Sequence, residues 1–391
     1  MECGVNAWTT GPLAMDAVWG AEADAIQWLQ KPGEWLSYLL SPVTELGSHT
    51  VVVAVLALVF WSVHARTGAR LFVLVIASGV VNALLKALLY GSRPYWHSGL
   101  VVGHASEPTF GMPSGHAQGS TVLYGYLGIV SGRRAWFWGA VGLVALICFS
   151  RIYLGLHFFS DVVVGVLLGA AFLRAFLRWE RPVLRWWRAL GLRTASAYAL
   201  AGSLLPCAVA AFWTLVVRGP WNAPETDVIG RVPQDPVGDS LTGLFLVSGA
   251  LFGGLVGLTL LAERGWYSAR GTLAQRAARF VLGISVVLVV QIVADIFLRE
   301  LSGLAEAAPT YLLYAAIAFW ATYAAPRMFL NGGLAPHPDT APETDPGEAE
   351  GPGTASAPPA EGEVSDPGGG EAPEEATSDT TEDGPGRDRR V

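Results

Sequence analysis

Residues 70–94 read RLFVLVIASGVVNALLKALLYGSRP. Between Arg70 and Arg93 a single charged side chain, Lys86, interrupts an apolar run. A helix needs about 20 apolar residues to cross the hydrocarbon core of a bilayer. Lipid offers backbone groups no hydrogen-bond partners, so a spanning segment must satisfy its own. The run is therefore read as a membrane-spanning helix. Lysine is scarce in this chain, which has only Lys31 and Lys86 among its 25 basic residues. A lysine near the end of an apolar helix needs a reason. Snorkelling to the interface is one, and a ligand is the other.

Outward from this stretch the pattern repeats. Of 391 residues, 52% are hydrophobic and 15% charged, against roughly 25% charged in soluble domains. A single water-soluble globule is thereby excluded. Nine apolar runs are candidate spans, near 47–65, 70–90, 113–131, 135–153, 157–177, 196–217, 240–262, 277–298 and 309–326. The expected fold class is all-α, a polytopic transmembrane bundle of about nine spans. Residues 14–41 mix Asp16, Glu22, Asp24, Lys31 and Glu34 with Trp19, Trp28, Trp35 and Leu39. That mixture suits a helix lying in the membrane interface. The N-terminus shows no basic region followed by an apolar stretch of the secretory kind, so the first span is expected to direct insertion.

Charge is divided unevenly. Residues 335–391 hold 15 acidic and 3 basic side chains, leaving 17 acidic and 22 basic for the first 334 residues. The acidic stretch is Pro, Gly, Ala, Ser and Thr with almost no large apolar side chain, a composition that predicts a disordered tail. Lys and Arg collect in cytoplasmic loops of membrane proteins. Fifteen arginines, including the six from Arg174 to Arg193, fall on one set of loops, and seven basic residues fall on the other. Nine spans then place the N-terminus outside and the tail in the cytoplasm. The organisation read from this is an interfacial segment 1–44, a five-helix core 45–178, a basic linker 179–195, four more spans in 196–330 and the acidic tail 331–391. Gly165 and Gly169, and Gly249, Gly253 and Gly257, recur every four residues and predict close helix packing. Asp295 one turn before Arg299 reads as a local ion pair. Cys3, Cys148 and Cys207 are too few and too scattered for a disulfide framework or a thiolate zinc site.

Chemistry concentrates at the outer ends of the second to fifth spans. His97, His104, His116 and His157, four of the seven histidines, lie there with Lys86, Arg93 and Arg151. Three cations facing one cavity imply a multiply charged anion, most simply phosphate. Helical continuation from Lys86 would put Arg93 on the same face. Pro113-Ser114-Gly115-His116 opens the third span. Free N–H groups and a hydroxyl at a helix start bind an anion, or the serine is an ordinary N-cap. His157 and Asp161 are spaced i, i+4, so the carboxylate can fix the imidazole tautomer and raise the nucleophilicity of the other nitrogen. A buried pair serving stability is the alternative. Glu107 and Asp161 are the carboxylates at this level, too few for a two-metal site.

Together these residues resemble the signature of the type 2 phosphatidic acid phosphatase superfamily. Its first motif is Lys, six residues, Arg-Pro, here Lys86 to Pro94; its second is Pro113 to His116; its third is Ser150-Arg151, His157 and Asp161. The resemblance covers residues 45 to 178. It implies an integral membrane phosphatase acting on a lipid phosphate or diphosphate at the extracytoplasmic face of the cell membrane. Lys86, Arg93 and Arg151, with Ser114 and the N–H of Gly115, would hold the phosphate. His157 would form a phosphohistidine, oriented by Asp161, and His116 would be the general acid and then base. Fixed cations would stabilise the transferring phosphoryl group, so no metal and no cofactor is expected. The expected partner is the lipid substrate, with no nucleic acid. The same cluster also suits a transferase with another acceptor, an anionic-lipid transporter, or a histidine-ligated metal hydrolase. Loop 95–112, with Trp96, His97, His104 and Glu107, is the place to look for selectivity.

Overall fold

The structure is a computed structural model that describes residues 15–218, 232–298, 301 and 303–336. Among the described residues every regular element is helical. The helices are α1 (Asp16–Gln30), α2 (Trp35–Glu45), α3 (His49–Leu58), α4 (Ala65–Leu89), α5 (Pro94–His97), α6 (Gly115–Val130), α7 (Arg134–Tyr153), α8 (Phe159–Ala189), α9 (Leu192–Phe212), α10 (Pro236–Glu263), α11 (Leu273–Leu298), α12 (Leu304–Phe319) and α13 (Ala325–Asn331). Helix starts follow local chemistry. Ser48, Ser114 and Asp235 each accept a backbone N–H of the first turn, and His64 does the same through Nδ1 for α4, satisfying donors that a helix start otherwise orphans. Pro236 occupies the first turn of α10, where its missing N–H costs nothing.

Eight helical stretches are long and apolar enough to cross a membrane, rather than the nine expected. The one that falls short is α6, expected as the third span. Its 16 residues cover about 24 Å at 1.5 Å per residue, below the ~30 Å of a hydrocarbon core. Residues 131–133 lead straight from it into α7, and the two helices pack together. The first apolar stretch runs Trp35–Val63, so the segment expected as one interfacial helix divides at Gly33, whose φ of +105° suits glycine. The basic stretch after residue 178 is the continuation of α8, which runs unbroken to Ala189. There Glu180 meets Arg70 of α4 at 2.6 Å. The Asp295–Arg299 pair and the acidic tail from residue 337 onward lie outside the described residues.

Small residues set the helix spacing. A Cβ on Gly165 would lie 2.7 Å from the Ser114 carbonyl, and one on Gly169 would lie 2.8 Å from that of Gln118. This contact seats α8 directly on the first turn of α6. The later half is joined the same way: a Cβ on Gly249 would fall 2.1 Å from the Tyr311 carbonyl and one on Gly253 1.9 Å from that of Ala315. Helix α10, so packed on α12, also contacts α4 and α9 and ties the two halves together. Overpacking such a contact costs about 1–3 kcal/mol. Gly253→Leu should therefore lower the thermal unfolding midpoint in detergent by several degrees. Gly243→Leu, on the same helix with open space at its Cβ, should leave it unchanged, and scanning fluorimetry separates the two.

Candidate active site

The first motif reaches the site through a turn, contrary to the expected helical continuation. Helix α4 ends at Leu89, and Tyr90 caps it in the left-handed region with φ 53°. Pro94 keeps its predecessor extended, and Arg93 sits at φ −105°, ψ 155°. Lys86, on the last turn of α4, does not snorkel. Its Nζ donates to the Phe110 carbonyl and lies 3.5 Å from Thr109 Oγ1. Arg93 is buried and fully engaged: Nε donates to the Thr109 carbonyl at 2.7 Å, Nη1 to that of Leu156 at 2.9 Å and Nη2 to that of Phe110 at 3.3 Å. Loop 98–113 thus presents carbonyls to two cations. It can do so because Gly111 lacks a side chain. A Cβ there would lie 2.6 Å from the Ser92 carbonyl and 3.0 Å from Asp161 Oδ2.

The third motif arrives from the other side. Arg151, on the last turn of α7, donates through Nη1 to Thr44 Oγ1 at 3.2 Å and pairs through Nη2 with Glu107 Oε1. Its Nε is buried without a hydrogen-bond partner. His157 Nδ1 stands 3.3 Å from Asp161 Oδ2, which also accepts the Phe158 N–H at 3.0 Å. The His157 Nε2 lies 3.4 Å from Arg93 Nη1, so this nitrogen faces the cations. Burial first, then the charges of Arg93, Arg151, Lys86 and His116, hold His157 well below its usual 6.5. A neutral ring with Nδ1–H on the carboxylate leaves a lone pair on Nε2, an arrangement that can act as a nucleophile.

The second motif closes the cluster. Ser114 is the N-cap of α6, its Oγ accepting from Ala117 N at 3.4 Å, while its own N–H donates to the Asp161 carbonyl at 3.0 Å. The Gly115 backbone stands at the helix start, with a Cβ there 3.3 Å from Asn82 Oδ1. His116 packs at the α2–α3 turn, where a Cβ on Gly47 would meet its ring at 3.1 Å. His97 is not part of this cluster. It packs edge-on against Trp19 and Phe158, with centroids at 6.2 and 5.9 Å. His104 instead ties the loop down, its N–H donating to the Leu154 carbonyl at 3.0 Å. Among the described residues no three His, Cys, Asp or Glu side chains gather as a metal-ligand set.

Several contributors carry no motif. Glu107 bridges the two arginines, with Arg93 Nη2 at 3.7 Å. Burial opposes its charge, yet Arg93 and Arg151 hold its carboxyl down at about 2. Asn82 Nδ2 donates to Gln118 Oε1 at 2.9 Å, and Gln118 Nε2 to the Ser78 carbonyl at 2.9 Å, locking α4 to α6. Helix α1 braces the catalytic loops. Trp19 stacks on Phe158 with centroids at 5.6 Å. Glu22 accepts from Ser160 N at 3.1 Å and Ser160 Oγ at 2.9 Å, capping α8. Gln30 Nε2 donates to the carbonyls of Val102 at 2.8 Å and Tyr153 at 2.9 Å.

Residues 67–185 match the family model described as PAP2 superfamily, and residues 245–337 match that described as PAP2 superfamily phosphatase, transmembrane extension. The chain is 30% identical over 183 residues to glucose-6-phosphatase catalytic subunit 1 of Haplochromis nubilus, covering 39% of this chain and 51% of that protein. It is 30% identical over 139 residues to lipid phosphate phosphatase delta of Arabidopsis thaliana, covering 32% of this chain and 33% of that one. Sphingosine-1-phosphate phosphatase 2 of Mus musculus is 27% identical over 139 residues, covering 34% and 39%. The chain thus spans about half the length, or less, of these relatives. A solved PAP2 type phosphatidylglycerolphosphate phosphatase from Bacillus subtilis aligns at 20% identity with a TM-score of 0.37, covering 44% of this chain and 88% of that one.

Truncating a buried tryptophan costs about 3–5 kcal/mol. Trp19→Ala should therefore loosen the loop that carries His157, and hydrogen exchange at residues 156–162 should rise well above that of the C-terminal end of α8. Equal exchange in both would show that α1 does not brace the site.

Proposed function

The chain belongs to the PAP2 superfamily, and from that membership together with the cluster at His157 we propose that it is an integral membrane phosphatase that removes a terminal phosphate from a lipid phosphate or diphosphate. The observation that carries this reading is the placement of the His157 Nε2 against Arg93, with Asp161 on the opposite nitrogen. Phosphoryl transfer needs a nucleophile in line with phosphorus and positive charge on the equatorial oxygens. Here both come from side chains.

Under this reading the cluster works residue by residue. Lys86, Arg93 and Arg151 take the phosphate oxygens, with the Gly115 N–H at the helix start. The His157 Nε2 forms a bond to phosphorus as the bond to the leaving oxygen breaks, and Asp161 stabilises the ring as it gains positive charge. His116 delivers a proton to the leaving oxygen. In the second half His116 takes a proton from water, whose oxygen bonds to phosphorus as the phosphorus–nitrogen bond breaks, releasing phosphate. The arginine distribution supports a site on the extracytoplasmic face and a cytoplasmic tail. Lipid phosphates are favoured as substrates because the cluster is formed at the ends of apolar helices, and two of the named relatives act, by their names, on lipid phosphates. The resemblance to a glucose-6-phosphatase subunit makes a small sugar phosphate the second candidate.

Phosphate release by purified protein in detergent, across lipid phosphates, lipid diphosphates and a hexose phosphate, tests the reading. His157→Ala should abolish turnover. Lys86→Ala or Arg151→Ala should lower kcat/KM about a hundredfold, on the order of 3 kcal/mol of transition-state stabilisation. Turnover should be unaffected by EDTA and inhibited by orthovanadate. Full activity of His157→Gln would overturn the phosphohistidine route, and phosphoryl transfer to an added alcohol in place of water would make the protein a transferase.

A further inference from the structure

The phosphate cluster already holds an anion of its own. Glu107 comes from the middle of loop 98–113, a region outside all three motifs, and its carboxylate lies between Arg151 and Arg93. We propose that this carboxylate is the resident occupant of the phosphoryl site in the free protein, and that incoming phosphate binds by displacing it. The inference rests on the phosphatase reading and names a selectivity-determining residue within it.

Four observations carry the inference. The Glu107 side chain is 23% exposed while those of Arg93 and Arg151 are 1% and 3% exposed, so the carboxylate covers the arginines on their solvent side. It uses only part of what Arg151 offers. Nε and Nη2 form one edge of a guanidinium, the edge that grips an oxyanion with two parallel bonds, yet Glu107 takes Nη2 and leaves Nε buried without a partner. A phosphoryl group with three oxygens can engage both nitrogens and still reach Arg93. Arg93 does not need Glu107 for its position, because the carbonyls of Thr109, Phe110 and Leu156 hold it. Finally, the loop is fastened on both sides of Glu107, at His104 N and through the Thr109 and Phe110 carbonyls. Between those anchors the Glu107 N–H makes one hydrogen bond, to Tyr95 Oη at 3.0 Å. A short segment can therefore swing without unseating the cations.

Protonation does not release the arginines at any working pH, since they hold the Glu107 carboxyl at about 2 against the opposing effect of burial. Exchange for another anion is the route that remains. The replacement must offer more charge or more oxygens than a carboxylate, which selects dianionic phosphate over carboxylate-bearing lipids and phosphodiesters.

Binding of inorganic orthovanadate to the detergent-purified full chain, followed by calorimetry, tests this without requiring a known substrate. Glu107→Gln keeps the shape and removes the competing charge, and it should bind orthovanadate at least tenfold more tightly than the wild type. Glu107→Asp, which keeps the charge, should not. In the wild-type protein orthovanadate should raise hydrogen exchange at residues 105–108 while lowering it at 156–161, a readout that needs no variant. Unchanged or weaker binding by Glu107→Gln, with exchange at 105–108 falling in the wild type, would overturn the inference and make Glu107 a fixed support for Arg151. Failure of wild type and variants alike to bind orthovanadate would remove the phosphatase reading, and the inference with it.

Discussion

Two buried arginines and a half-buried lysine set side by side repel one another, and the fold around them is organised to hold that charge in place. Removing ions from water is costly unless partners replace the lost solvation. Here the partners are mostly backbone. The carbonyls of Thr109 and Phe110 serve Lys86 and Arg93, and that of Leu156 serves Arg93 from the α7–α8 junction. Carbonyl dipoles can offset positive charge without neutralising it, so the cluster keeps a net attraction for an anion. A set of carboxylates would have cancelled it. Among the described residues the carboxylate that pairs with two of the cations, Glu107, is on a loop rather than on a helix.

The rest of the architecture supports this arrangement of dipoles. Loop 98–113 can approach Ser92 and Asp161 only because Gly111 has no side chain. The loop's position relative to α7 is fixed by Gln30 of α1, which satisfies backbone groups on both. Helix α8 must start where His157 faces Arg93. Gly165 and Gly169 let it press onto α6, and Glu22 caps its first turn from outside. His157 is therefore placed by contacts from α1, α6 and the loop together, and each is a packing or capping interaction worth at most a few kcal/mol.

How much of this was legible in the sequence depends on the range of the interaction. The i, i+4 pairing of His157 with Asp161 and the four-residue glycine spacing are local patterns, and in the structure His157 meets Asp161 and the glycines take close backbone contacts as that spacing implies. Three features lie outside those local patterns. The left-handed residue is Tyr90 rather than the Gly91 that follows it, and although Gly91 and Pro94 punctuate this stretch, the spacing of Lys86 and Arg93 reads as a continued helix. Helix α1 showed the mixed polarity of an interfacial helix, but its partners at Val102, Tyr153, Phe158 and Ser160 are far away in sequence and share no period with it. The polar lock of Asn82, Gln118 and Ser78 leaves a usable sign, amide side chains inside apolar spans. The length of α6 follows from the site: its start is fixed by Ser114 at the cluster and its end by the turn into α7.

An internal anion changes what binding strength means for such a site. If the cluster were empty, each cation would add to affinity for any anion, product phosphate included, and tight product binding would slow turnover. With Glu107 seated, the free energy of binding is the difference between two anions on the same arginines. Affinity is then lowered for substrate and product alike, and the carboxylate is at hand to replace phosphate as it leaves. Displacing Glu107 costs the bound substrate and the transition state equally, so it raises KM and leaves the chemical step unchanged. Turnover at saturating substrate gains where release of phosphate limits it, because the returning carboxylate weakens product binding. The half-buried position of Glu107, on a loop and outside the backbone contacts of Arg93, is where such an exchange can occur without disturbing the carbonyls that hold the cations.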